Sequence, residues 1–205
     1  MWQMDIRRFI CGAFSTNSYL LTEGDQCILI DPASKPEKMI EVLKDKSLVA
    51  ILLTHGHFDH IKAVDGLYDK YQCPIYLGKE DKDLIKDKHA AESFMISNCP
   101  TVTRPIEFYK EGNMEIGPFS FEVIFTPGHT PGSVCLKFGN DLFTGDTLFR
   151  LSAGRTDLKG GDNSALKSSL RIINNLEGDL IIHPGHDDES DLDFEKANNP
   201  FLTNL

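Results

Sequence analysis

The 205 residues are 40% hydrophobic and 25% charged, which predicts one ordinary globular domain over residues 1–205 with a substantial core. A net charge of −10 repels phosphate backbones and argues against nucleic acid and anionic membranes as partners. The N-terminus lacks a signal-peptide pattern, and no run reaches the ~18 apolar residues of a membrane span.

The cysteines Cys11, Cys27, Cys73, Cys99 and Cys135 are odd in number and widely spaced, with no C-x-x-C. A reduced, cytoplasmic protein with structural thiols is expected.

In chain order, "WQMDIRRFI" alternates as a strand, "NSYLLTE" is an apolar strand, and "QCILIDP" is a strand ending at Asp31-Pro32. "KPEKMIEVLKDK" has helical spacing through Met39, Ile40 and Leu43, with Pro36 suited to the first turn. "LVAILLT" is continuously apolar, as in a strand covered on both faces. A helix is predicted from near His60 through "IKAVDGLYDKY", then a short strand "PIYL" and a polar helical stretch around "KEDKDLIKDK".

The second half repeats this logic. "FSFEVIF" sets Phe119, Phe121, Val123 and Phe125 on one face at period two. "SVCLKFGNDLFTGD" predicts a hairpin turning at Gly139-Asn140. Residues 163–176 predict an amphipathic helix capped by Asp162 or Asn163. "GDLIIHPGH" is a further strand, and "DLDFEKANNPFL" a last helical turn with a tail. Several strands in each half predict a mixed α/β domain of two sheets with helices outside.

Four strands end alike. "ILLTHGH", "VIFTPGH", "LFTGD" and "LIIHPGH" each pass from an apolar run to a glycine and then a residue able to bind metal. If these ends share one sheet edge, they gather His55, His57, Asp59, His60, His129, Asp146 and His186. Nitrogen and carboxylate donors without thiolates suit zinc, iron or manganese. Seven groups exceed one tetrahedral zinc and suit two ions with one carboxylate shared, at the usual separation of about 3.5–4 Å. His55 and His57 straddle a glycine and can face one ion, whereas Asp59 and His60 reach a second only if the chain turns there. Burying the H-x-H-x-D-H cluster without a cation would be costly. His89 and His183 are read as surface or satisfied core groups, although His183 stands three residues before His186.

These motifs, with "STNSYLL", "LIDP", "TPGHTPGS", "FTGDTLFR", "GRTDLKGGD" and "EKANNPFL", resemble the metallo-β-lactamase superfamily, and within it the short glyoxalase II-like hydrolases. The resemblance implies a four-layer αβ/βα sandwich with a metal site at one edge. It implies that His55, His57 and His129 hold the first ion, that Asp59, His60 and His186 hold the second, and that Asp146 bridges them. Two divalent ions, zinc foremost, and cytoplasmic hydrolysis of a small-molecule substrate follow, by a monomer or homodimer.

The sequence departs from the resemblance in three places that bear on substrate entry. Ser152-Ala153 stand where small, glycine-rich residues are common before the G-R-T-D motif. The chain has no counterpart of the glutathione-binding helical segment of full-length glyoxalase II. Asp187, followed by Asp188 and Glu189, stands where glycine usually follows the last histidine.

The expected reaction is attack by water shared between the ions, acidified to near neutral pH, with Asp59 and Asp146 as catalytic carboxylates. A thioester such as a hydroxyacyl-glutathione suits it, because a thiol of pKa ~8.5 leaves as thiolate without a dedicated acid. Asp31, Thr54 and Thr130 are candidates to orient ligands, with strand-end and turn chemistry the competing reading. Arg155 and Asp157 are candidates for an ion pair at the pocket lip. The rival reading is a mononuclear iron persulfide dioxygenase using His55, His129 and Asp146 as an open facial triad.

Overall fold

A computed structural model of the protein describes residues 4–43, 45–89 and 99–205. Trp2 and Gln3 of the first predicted strand, and Lys44 of the first predicted helix, lie outside the described residues. The chain opens with an antiparallel meander, β1 (Asp5–Cys11), β2 (Thr16–Glu23) and β3 (Gln26–Ile30). Helix α1 (Pro36–Val42) crosses to β4 (Ser47–Leu52), which pairs parallel to β3. Helix α2 (Val64–Tyr71) leads to β5 (Ile75–Leu77), and β6 (Glu107–Phe108) completes a sheet of order β1-β2-β3-β4-β5-β6.

The second sheet is built from β7 (Gly112–Ile116), β8 (Phe119–Phe125), β9 (Val134–Phe138) and β10 (Asp141–Gly145). A small hairpin, β11 (Leu148–Phe149) and β12 (Ser152–Ala153), and helix α3 (Asn163–Asn174) follow. Strands β13 (Ile181–Pro184) and β14 (Ser190–Asp191) then give the order β14-β13-β10-β9-β8-β7. Helices α4 (Leu192–Asn198) and α5 (Pro200–Thr203) close the chain. The predicted hairpin turns at Gly139-Asn140, where Gly139 takes φ 58°, the left-handed backbone that two-residue hairpin turns need.

Three apolar clusters make the layers. Tyr19, Leu21, Ala50 and Leu52 of the first sheet meet Phe119, Phe121, Val123 and Phe143 of the second. On the outer face of the first sheet, Leu29 and Ile51 pack with Met39, Val64 and Leu67 of α1 and α2. Outside the second, Ile124, Cys135 and Leu142 pack with Leu166, Leu170 and Ile173 of α3. The stack is helices, sheet, sheet, helix, which is the predicted sandwich. The continuous apolar run of β4 follows from its place inside the first sheet, with Ile51 facing the helices and Leu52 facing the other sheet. All five cysteines are buried and unbridged. Among the described residues no helix is long and apolar enough to cross a membrane.

Two local expectations are corrected. Helix α2 begins at Val64, not near His60. The segment before it is a turn, closed by His60 N donating to His57 O at 3.0 Å, and Ala63 N donates to Pro32 O at 2.9 Å. The polar stretch after β5 is two short 3₁₀ turns, Lys79–Asp81 and Leu84–Lys86, not an α-helix. Its backbone is tightened because the Asp81 carboxylate is drawn inward to three buried donors.

Candidate metal centre

The four strand ends do meet at one edge of the sandwich. The end of β4 supplies His55 and His57, and the turn that follows supplies Asp59 and His60. His129 follows β8, Asp146 follows β10 directly, and His186 follows β13. The donor atoms of His55, His57 and His129 lie within 4.8 Å of one another, as do those of Asp59, His60 and His186. Asp146 sits between the two groups. Its Oδ2 is 3.4 Å from His129 Nε2, 3.4 Å from His186 Nε2 and 4.0 Å from His55 Nε2, and its Oδ1 is 3.4 Å from His60 Nε2. Gly185 makes this closeness possible, because a Cβ there would strike Asp146 Oδ1.

Hydrogen bonds fix which nitrogen each ring turns inward. His129 Nδ1 donates to Arg155 O at 2.8 Å, and His186 Nδ1 donates to Phe14 O at 3.0 Å. His60 Nδ1 donates to Asp31 Oδ2 at 2.9 Å. The Thr54 hydroxyl donates to Asp31 Oδ2 at 2.6 Å and so accepts from His55 Nδ1 at 3.0 Å. Asp31 also accepts from Thr54 N at 2.8 Å. In these four rings Nε2 is therefore the nitrogen that faces the centre. His57 differs and points Nδ1 at His129 Nε2, 2.8 Å away.

Within the centre, two buried atoms, His55 Nε2 and Asp146 Oδ1, have no hydrogen-bond partner among the described residues. Burying a polar atom unpaired is costly, and a cation between the rings satisfies both. The donor set, imidazole and carboxylate without thiolate, fits divalent metal ions.

Without a cation the charges lock onto each other. Burial opposes the imidazolium of His186, but hydrogen bonds to Asp146 and Asp59 outweigh it and push the group up to about 11. Burial likewise opposes His60, yet Asp59, Asp146 and Asp31 raise it to about 9. Asp59 falls to about 2, because His60 and the His186 hydrogen bond outweigh its burial. Asp146 is held well below the usual carboxylate range against its burial, chiefly by His60. Burial, reinforced by His129, lowers His57 to about 3.

Of the residues expected to orient ligands, Asp31 and Thr54 touch ligand rings and Thr130 does not. The Thr130 hydroxyl donates to Asp81 Oδ2 at 2.7 Å and contacts Ser133 Oγ at 2.7 Å. Sequence reasoning passed over Asp81, which stood in the stretch read only as polar and helical. Its carboxylate accepts from Gly56 N and Gly132 N, each at 2.8 Å. It thereby ties the His55–His57 loop to the loop that carries His129. Thr16 was also missed; its hydroxyl donates to Asp59 Oδ2 at 3.0 Å. Arg155 and Asp157 pair at 2.6 and 2.7 Å, with Arg155 on the cavity wall. His183 stays out of the centre, bridging Glu189 and Asp141 at 2.8 Å each.

A cavity of about 440 Å³ opens over the centre, walled by Phe14, Phe58, Phe149 and Leu158.

Comparison with known proteins agrees with this architecture. A family model described as the metallo-beta-lactamase superfamily matches residues 11–186. The chain is 39% identical to the probable metallo-hydrolase YqgX of Bacillus subtilis, over 97% of this chain and 98% of that one. It is 34% identical to the hydroxyacylglutathione hydrolase GloC of Haemophilus influenzae, again over 97% and 98%. Among solved structures, the BLEG-1 B3 metallo-beta-lactamase superposes with a TM-score of 0.90 at 36% identity, over 97% of this chain and 100% of that one. TTHA1623, crystallised in a di-iron-bound form, superposes with a TM-score of 0.87 at 37% identity, over 96% and 100%. Strand order, the edge where the donors gather and the sequence match all agree, and this chain belongs to the metallo-beta-lactamase superfamily, whose members include metal-dependent hydrolases.

Proposed function

We propose that the protein is a dinuclear metal-dependent hydrolase that cleaves a thioester. The observation that carries this reading is Asp146, one carboxylate between two three-donor groups, whose buried Oδ1 accepts no hydrogen bond among the described residues. In this reading His55, His57 and His129 hold one ion, Asp59, His60 and His186 hold the other, and Asp146 is shared. Zinc is the first choice, with iron or manganese suited to the same donors. Divalent ions held there supply Lewis acidity, acidifying water and polarising a carbonyl oxygen.

The chain's own groups do the rest. Asp31 and Thr54 hold the His60 and His55 rings with Nε2 inward. Thr16 steadies Asp59 on the cavity side, where that carboxylate would help hold the second ion. Phe14, Phe58 and Phe149 wall the cavity and reduce water around the reacting carbonyl. A thioester needs no acid for its leaving group, because the thiol departs as thiolate. The relative named as a hydroxyacylglutathione hydrolase supports this choice by analogy.

The experiment is hydrolysis of S-lactoylglutathione by the zinc-loaded protein, followed at an oxygen electrode. Cleavage without oxygen uptake is expected. Oxygen consumption by an iron-loaded form supplied with glutathione persulfide, with no thioester cleavage by the zinc form, would overturn the reading.

A further inference from the structure

The charges around the cavity mouth are not accounted for by the metal centre. The walls are apolar and fixed to the centre itself. Phe58 lies between His57 and Asp59, and its ring meets Phe14 edge to face at 5.3 Å. The main-chain oxygen of Phe14 holds His186 Nδ1, and the Phe149 ring stands 6.1 Å from the His186 ring. Beyond the metal-binding groups, two charged side chains line the cavity among the described residues, Arg155 and Asp187. Arg155 gives Nε and one terminal nitrogen to the Asp157 carboxylate, so its charge is already matched.

Asp187 is different. Its φ is 64°, a left-handed backbone that aspartate tolerates better than most residues. That conformation is pinned by its main-chain oxygen, which accepts from Asn17 Nδ2 at 2.9 Å and from Arg8 at 3.3 Å. Arg8 pairs with the carboxylate of Asp188 at 3.7 Å, not with that of Asp187. No hydrogen bond or ion pair reaches the Asp187 carboxylate among the described residues, and it stands at the cavity rim. A second negative charge passing this carboxylate meets its repulsion, while Arg155, which lines the same cavity, is held by Asp157, and Arg8 is held by Asp188.

Resting on the thioester reading above, we infer that the cavity selects uncharged, apolar thioesters over those on a carboxylate-bearing thiol such as glutathione. Asp187 is the residue that enforces the choice. The acyl group packs against Phe14, Phe58 and Phe149, and the carrier passes Asp187 without a carboxylate of its own. Specificity here is a difference between two substrates, set by repulsion of the wrong one.

The test compares kcat/KM of the zinc-loaded protein for S-phenylacetyl-N-acetylcysteamine, which is neutral, and for S-lactoylglutathione. The wild type is expected to favour the neutral thioester by about tenfold or more at low salt. Asp187→Asn should shift the ratio toward S-lactoylglutathione by about threefold or more, mainly through KM, and about 0.5 M salt should shrink that shift. Asp187→Gly, which also relaxes the backbone, should move the ratio the same way. Metal content is measured for each variant, so loss of ions is not mistaken for a change in selectivity. A wild type that favours S-lactoylglutathione, or a ratio unmoved in both variants, overturns the inference while leaving thioester hydrolysis standing. Failure of the fully loaded wild type to cleave either compound overturns both.

Discussion

Four of the five imidazoles at the centre spend Nδ1 on an oxygen of the protein and turn Nε2 inward, which preorders the site before any ion arrives. His55, His57 and His60 were legible because H-x-H-x-D-H is hard to explain without a cation, and His129 and His186 because their strand–glycine–donor endings recur in order with it. Asp31 was legible because it ends an apolar strand. Asp81 was not, since its sequence neighbours are charged and its donors come from Gly56, Thr130 and Gly132, far along the chain. Asp81→Asn removes one acceptor behind the loops of the His55, His57 and His129 group. It should weaken zinc binding by about 10–100-fold in a chelator competition titration; an unchanged affinity would contradict the role. Protonation gives a second test. Metal-free His60 and His186 stand at about 9 and about 11, so both carry protons at neutral pH that an ion must displace. Zinc binding near pH 7 should release about two protons per protein and tighten as pH rises toward 9, read by calorimetry in buffers of different ionisation enthalpy. Binding without proton release, or tightening as pH falls, would contradict this.

Among the elements, β4 and β8 were the easiest to read. One is apolar from Leu48 onward because both faces are covered, and the other alternates because its inner face meets the first sheet. Helix α3 was equally clear, and of the two predicted caps, Asp162 and Asn163, the structure uses Asp162, whose Oδ1 accepts from Ser164 N at 2.7 Å and Ala165 N at 3.0 Å. Asp162→Ala should cost about 1 kcal/mol, seen as a fall of about 2–4 °C in Tm. Zinc content should hold, because the link from Asp162 N to Gly128 O is main chain; a loss of zinc would show that the cap also holds the His129 loop. The start of α2 and the 3₁₀ turns after β5 were misread for one reason. In both places a buried polar side chain, His60 or Asp81, draws the backbone off the helical path that local spacing favours. Periodicity reports the face a segment buries and is silent about a polar group recruited from elsewhere.

At the scale of the molecule, the sandwich places the ends of β4, β8, β10 and β13 at one edge, and both sheets contribute to each donor group, the second sheet through His129 in one and His186 in the other. Composition and charge alone would not have given this arrangement. The repeated strand–glycine–donor ending gave it, because a shared edge is the simplest way to make four such endings useful together. What stayed illegible was the rim. The αL backbone of Asp187 and the Phe14–Phe58 contact depend on how loops from both halves close over the centre. The central claim is that two ions share Asp146. It is tested most directly by counting zinc in the wild type and in Asp146→Ala alongside thioester cleavage. The account predicts two equivalents in the wild type, and in the variant the loss of metal and of activity together. A variant that keeps both ions, or that still cleaves thioester, would contradict it.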